Sequence, residues 1–297
     1  EEVELAELLC EIHPWARMVR YARTGGESMA IAVRIARAKT GKDIVAFCGY
    51  HGWHDWYLAA NLSEDSALDG HLIPGLNPAG VPRGLQGTAY PFAYNDIKKL
   101  KEIAAKHKKN LAAIVMEPIR DHQPDPGFIE GVREIANETG AVLVVDEISA
   151  AFRFNTGGAH LNFFPEACMP DLAVFSKALG NGYPIAAIIG RSDVMEAAQK
   201  TFISSTYWTE RIGPAAALAT IKKHKAVDAG KHLVALGEKV QIGWADLAKK
   251  HGIVIEVGGM KPISHFSFQG EETFKLKALY IQLMLEMGFL ATNMFYA

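Results

Sequence analysis

Short unbroken apolar runs, each closed by glycine, hydroxyl or charged residues, recur along the chain. Ile44 to Cys48, Leu111 to Met116 and the runs within Ala141 to Ser149 and Asp171 to Gly190 have this form, and Met18 to Tyr21 is a short strand interrupted by Arg20. A continuous run, as opposed to an alternating one, marks a strand buried on both faces, as in a parallel sheet. Between the runs the apolar spacing turns helical. Leu5, Leu8, Leu9 and Ile12 place a helix over Glu4 to Arg17 that Pro14 ends or bends, and Ala30 to Lys39 is helical in composition with Gly41 as its stop. Asp96 to Lys109 is amphipathic, Gly127 to Thr139 is a helix halted at Gly140, and Asp193 to Gln199 and Ala215 to Lys225 continue the pattern. Strand and helix alternating from Met18 onward predict a doubly wound α/β sheet.

Two regions depart from that alternation. Asn61 to Asn95 carries Pro74, Gly75, Pro78, Gly80, Pro82 and Gly84 with little periodicity, and is expected to be a long functional loop. After residue 228, a helix over His232 to Lys250, a strand pair at Ile253 to Val257 and Ile263 to Phe268, and a helix from Phe274 to Met287 suggest the start of a small α+β part. The expected division is therefore 1–228 and 229–297.

In open α/β sheets ligands sit at the carboxyl ends of the strands, so Asp146 and Lys177, each just past an apolar run, belong in one crevice although 31 residues apart. An amine at a strand end, followed by Gly180, Gly182 and Pro184, is a candidate for Schiff-base chemistry with a carbonyl compound. A carboxylate beside it suits a protonated pyridine nitrogen. Gly25 and Gly26 open a helix, where free N–H groups and the helix dipole suit a phosphate monoester. The pair lacks both the G-x-G-x-x-G and the Walker pattern, so an ordinary turn fits as well. In Tyr50-His51-Gly52-Trp53-His54-Asp55 the spaced histidines have the look of a metal site, but no further ligand cluster accompanies them and no metal is expected. Tyr50 is a loop aromatic.

Composition narrows the partners. The 297 residues are 49% apolar and 22% charged with a net charge of −2, which gives no electrostatic case for nucleic acid or an anionic membrane. No apolar run approaches the roughly 20 residues that cross a bilayer, and the chain opens on Glu1-Glu2-Val3-Glu4 without a signal-like segment. Cys10, Cys48 and Cys168 form no C-x-x-C pattern and are expected to be reduced thiols of a cytoplasmic protein.

Asp146-Glu147-Ile148 and the run Ser176 to Pro184, S-K-A-L-G-N-G-Y-P, resemble the signature of the class III pyridoxal-phosphate-dependent aminotransferases, which include the glutamate-1-semialdehyde aminomutases. The resemblance extends from about Leu5 to about Ala219. It implies a fold-type I transferase in which Lys177 forms the Schiff base with pyridoxal 5'-phosphate, Asp146 pairs with the pyridine nitrogen, Ile148 packs on one ring face and Tyr50, from the family's Y-H-G, stacks on the ring. Thr24, Gly25, Gly26 and Glu27 match the family's S-G-T-E phosphate segment. Gly26 replaces the usual threonine, which keeps the backbone N–H and removes a hydroxyl. Glu117 matches the family's E-P motif and would brace the pocket. Ser149 stands where many relatives have glutamine, and Arg153 matches an arginine of the aminomutase-like branch.

By the same resemblance Thr206 reaches the cofactor phosphate of a partner subunit, which implies a homodimer. Relatives are longer at both ends, so the chain is expected to be the central part of such an enzyme. The implied reaction moves an amino group from an amine donor to a keto or aldehyde acceptor; the alternative is the intramolecular aminomutase reaction. Thr209 to Pro214 departs from the more common G-N-P-L-A run. The aromatic and charged side chains of Tyr207 to Arg211 point to a polar carbonyl substrate, or else to packing at the dimer interface.

Overall fold

The computed structural model describes residues 1–297 except Leu72, Thr206, Trp208 and Thr209. Seven strands form the main sheet: β1 (Met18–Ala22), β2 (Ile44–Cys48), β3 (Ala89–Pro91), β4 (Leu111–Met116), β5 (Val142–Asp146), β6 (Leu172–Phe175) and β7 (Ala186–Gly190), in the spatial order β1-β7-β6-β5-β4-β2-β3. The central pairings β2–β4, β4–β5 and β5–β6 are parallel. β7 runs antiparallel to both neighbours, so the stretch Asp171 to Gly190 is two opposed strands with the lysine turn between them. β1 thereby points the same way as the central strands, and the carboxyl ends of β1, β2, β4, β5 and β6 share one edge.

Burial explains the unbroken apolar runs. Val142 and Val144 face one side with Met29, Val33 and Ile35, while Leu143 and Val145 face the other with Leu100, Val132 and Ile135. Each such side chain contributes roughly 1.5–3 kcal/mol of transfer free energy, so both faces of the sheet hold the core. The helix Gly25–Thr40 begins at the glycine pair, earlier than its composition alone suggests. Thr24 caps it, accepting from the Glu27 N–H, and the Glu27 carboxylate accepts from the Thr24 N–H at 3.4 Å, a capping box, and from the Arg23 N–H at 2.8 Å. Gly41, at φ 65°, ends it in the left-handed conformation that a side chain disfavours. The first helix spans Glu2–Ile12 and stops before Pro14, because the residue preceding a proline avoids helical backbone.

The region between Asn61 and Asn95 is not all loop. β3 lies within it as a three-residue edge strand parallel to β2, with Val45 opposite Ala89. Three residues carry too little periodicity to be seen in sequence, and Pro91 is tolerated because an edge strand leaves one side of its ladder unpaired. In the last part, β8 (Ile255–Met260), β9 (Ile263–Phe268) and β10 (Met294–Tyr296) form a separate antiparallel sheet, one strand more than the expected pair. Trp244 of the helix Ala229–His251 and Tyr280 of the helix Thr273–Glu286 pack edge-on against Phe266. No helix among the described residues is long and apolar enough to cross a membrane.

Candidate active site

At the end of β5 the Asp146 side chain is almost wholly buried, 4% exposed, yet carries no arginine or lysine partner within ion-pair distance among the described residues. It is held by hydrogen bonds instead. Oδ1 accepts from the Ile148 N–H at 3.0 Å and Oδ2 from His51 Nδ1 at 2.8 Å, while His51 Nε2 donates to the Cys48 carbonyl at 2.9 Å. Both ring nitrogens of His51 therefore face oxygen acceptors. The ring is thereby fixed between the Asp146 carboxyl group and the β2 backbone. Sequence reasoning set His51 beside His54 as a conceivable metal pair and missed this role. The signal was there in the Y-H-G that closes β2, but the placement of β2 two strands from β5 is a property of the sheet order.

Next door, β6 ends at Phe175 and the chain turns sharply. Lys177 adopts φ 41°, a left-handed conformation costly for a residue with a side chain, and the turn is held by Ser176 Oγ donating to the Ile185 carbonyl at 3.1 Å. The Lys177 side chain is exposed and its Nζ donates to Ser149 Oγ at 2.7 Å. Ser149 lies three residues past Asp146, so the amine is tied to the loop that leaves β5, the strand paired with its own, and not to the Asp146 carboxylate itself.

The helix terminus joins the same edge. A Cβ on Gly25 would lie 3.0 Å from Ile148 Cδ1, and a Cβ on Gly52, whose φ is 91°, would lie 2.8 Å from Gly26 Cα. Glycine at these positions lets the turn after β2 close onto the helix, leaving the first-turn N–H groups of Gly25 and Gly26 without intrahelical acceptors. Tyr50, 38% exposed, stands on that turn with its ring edge-on to Tyr57. Beyond β4, Glu117 accepts from Arg120 Nη1 at 2.6 Å, and Arg120 Nη2 donates to the His71 carbonyl at 2.6 Å. Burial raises the Glu117 carboxyl above its usual range against the opposing pull of Arg120 and His51. His71 Nδ1 accepts from the Gly49 N–H, and burial next to Arg120 drops its ring to about 4, so it is neutral.

The family model for class-III aminotransferases matches residues 1–294. This chain belongs to the class-III aminotransferase family. It is 33% identical over 294 residues to a 3-aminobutyryl-CoA aminotransferase of Cloacimonas acidaminovorans, covering 94% of the chain and 66% of the relative. A glutamate-1-semialdehyde 2,1-aminomutase of Dechloromonas aromatica is 34% identical over 274 residues, covering 88% and 62%. The chain thus spans just under two thirds of the length of these curated relatives. An omega-transaminase structure from Sphaerobacter thermophilus superposes with a TM-score of 0.85 at 23% identity, covering 99% of the chain and 72% of that structure, and shares the fold-type I architecture.

The donor set of this family member fits the family's cofactor, pyridoxal phosphate. Free helix N–H groups suit a dianion, a buried carboxylate suits a ring nitrogen, an accessible amine suits an aldehyde, and the glycines at 25, 26 and 52 leave the backbone open to close approach.

Glu147 is fully buried; its carboxylate accepts from the Ala159 N–H, the His160 N–H and His160 Nδ1, and Trp15 Nε1 donates to His160 Nε2. Its neighbour Asp146 bonds to His51 while Glu147 pins the chain to Ala159 and His160, a division of labour that the Asp-Glu pair in sequence does not reveal. Glu210 is engaged by Arg23, and Arg211 lies 3.9 Å from Glu1, so the Glu-Arg neighbours pair elsewhere and not with each other. Arg153 donates through Nε to the Ser149 carbonyl and through Nη1 to the Ala297 carbonyl. Thr206, and with it Trp208 and Thr209, lies outside the described residues.

Proposed function

We propose that this protein is a pyridoxal-phosphate-dependent transaminase that moves an amino group from a small amine donor to a keto or aldehyde acceptor. The observation that carries this reading is the Lys177 amine, bonded to Ser149, on the strand end adjacent to the His51-anchored Asp146. In this reading the Gly25 and Gly26 N–H groups hold the phosphate, Tyr50 and Ile148 enclose the ring, Glu117 braces the pocket floor through Arg120, and Asp146 faces the ring nitrogen. Bound there, the cofactor supplies an electron sink for the pair released when a proton leaves the substrate carbon. The chain's own groups do the rest. Lys177 Nζ is the covalent anchor and, once released, the base that carries the proton; Ser149 Oγ gives that amine a resting partner. Asp146 keeps a negative charge beneath the ring nitrogen, and His51 prevents the carboxylate from rotating away.

The same reading makes residues 1–228 the cofactor domain and 229–297 the beginning of a smaller one, supported by their separate sheets. It makes the protein a homodimer in which Thr206 serves the opposite site, which light scattering on the active form tests: a fully active monomer refutes it. A cytoplasmic location accords with three free thiols at Cys10, Cys48 and Cys168.

Absorbance tests the core of the proposal. The protein should take up pyridoxal phosphate with a visible band that borohydride removes, and Lys177→Ala should lose both band and turnover while remaining folded. Retained turnover in that variant defeats the assignment. The 34% identity to an aminomutase supports a second reading in which the amino group moves within one substrate. Product analysis separates the two. If glutamate-1-semialdehyde is converted to its 5-amino isomer faster than any external donor and acceptor pair reacts, the aminomutase reading stands; the exposed phenol of Tyr207 favours external polar carbonyl acceptors.

A further inference from the structure

By its resemblance to the family's S-G-T-E segment, Gly26 takes the place of a threonine, so the proposed phosphate cradle has one hydroxyl fewer. The place of that side chain is filled from elsewhere. A Cβ built on Gly26 would lie 2.7 Å from His54 Nδ1 and 2.8 Å from His54 Cε1. The imidazole of His54 thus occupies the space that a residue-26 side chain would take, at the second residue of the sixteen-residue helix Gly25–Thr40.

Two features of His54 have no structural explanation within the chain. Its Nδ1 is buried and has no hydrogen-bond partner, a state that buried polar atoms of folded proteins seldom tolerate. It also precedes the short helix Asp55–Leu58 without making a capping bond, so that helix does not engage the ring. Instead the ring stacks on Trp53, with centroids 4.8 Å apart and planes at 24°, which holds it over Gly26.

We infer that His54 takes over the missing hydroxyl's role, donating a ring N–H to the phosphate of the cofactor at the helix terminus; the inference rests on the pyridoxal-phosphate reading above. A neutral imidazole carries one N–H and an imidazolium two, so a phosphate oxygen is a suitable acceptor for either. Because Nδ1 is shielded from solvent here, the ring turns from its present resting position when the phosphate arrives, and Trp53 turns or loses its stack with it. Glycine at 26 is then required by the histidine: any side chain there would collide with the ring.

The test compares two ligands that differ in the phosphate alone. Pyridoxal phosphate and pyridoxal are titrated into cofactor-free wild type, His54→Ala, Gly26→Thr and the double variant His54→Ala/Gly26→Thr, with absorbance for binding and circular dichroism for folding. A hydrogen bond to a charged oxygen predicts that His54→Ala loses about tenfold or more in affinity for pyridoxal phosphate and less than about twofold for pyridoxal. Gly26→Thr alone weakens binding through collision with the ring, whereas the double variant, with the ring removed and a hydroxyl supplied, recovers to within about threefold of wild type. Inorganic phosphate added to the cofactor-free protein should change Trp53 fluorescence in wild type and leave Trp53→Phe silent. Unchanged affinity in His54→Ala, equal losses for both ligands, or no recovery in a folded double variant overturns the role of His54. Failure of wild type to bind either ligand instead defeats the cofactor reading itself, and the inference with it.

Discussion

Replacing His51 by phenylalanine isolates the interaction on which the proposed chemistry depends. The ring volume is kept, and the surrounding aromatics stay in place: Trp56 stacks on His51 at 6.3 Å, and Phe47 and Tyr57 lie edge-on at 6.1 Å. What disappears is the 2.8 Å bond to Asp146 and the 2.9 Å bond to the Cys48 carbonyl. The side chains of His51 and Asp146 are 0% and 4% exposed, so water does not replace the lost partner. Removing one member of a buried hydrogen-bonded pair leaves the other without its partner, at a cost of about 1–3 kcal/mol. Urea denaturation of the cofactor-free protein should therefore show His51→Phe destabilised by about that amount. Asp146→Asn removes the charge by itself, and once it is gone the histidine has less to lose. A double-mutant cycle should accordingly return a coupling of about 2 kcal/mol. In the loaded enzyme a carboxylate no longer held by His51 rotates off the ring nitrogen, and the rate should fall at least about tenfold, since 1.4 kcal/mol of lost transition-state stabilisation suffices. A coupling below about 0.5 kcal/mol, or a near-native rate in a folded His51→Phe variant, would show that Asp146 is positioned by something else.

Other perturbations have equally definite outcomes. Asp146→Ala should weaken cofactor binding and reduce turnover by orders of magnitude, because the ring nitrogen loses the charge that keeps its proton; absorbance titration and steady-state rates measure both, and near-native rates would send the search for the nitrogen's partner elsewhere. Stability should fall on acidification. Burial holds the folded-state values of His13 at about 3 and His71 at about 4, below the ordinary histidine value of about 6.5. The unfolded chain therefore protonates first, stability is complete above about pH 6.5, and each group removes up to about 1.4 kcal/mol per pH unit as the pH falls towards its folded value. Urea midpoints unchanged between pH 7 and pH 4.5 would contradict that. Glu147→Gln should cost about 1–3 kcal/mol, since the amide NH2 replaces one acceptor oxygen and faces the Ala159 N–H or the two His160 donors within a fully buried pocket; a melting curve unmoved by the change would mean that the network relaxes.

The sequence by itself determined the buried strands and most of the helices, because continuous apolar runs and helical spacing follow from local burial. It also determined that Asp146 and Lys177 stand at strand ends, and the signature around Lys177 carried the family. Boundaries were legible wherever a local device sets them, as at Gly41 and Gly140, both near φ 65°. Tertiary structure decided what no local pattern encodes. The reversal of β7, the edge position of β3 and the neighbourhood of β2 and β5 depend on which strands pair, and pairing is settled by loop geometry and the two-sided core. From that order come His51 as the partner of Asp146, Glu147 as an anchor turned away from the crevice, Glu210 drawn off by Arg23, and the His54 ring in the space above Gly26. Each of these is a contact between residues far apart in the chain, where side-chain identity states what a group is able to do and the fold alone states what it meets.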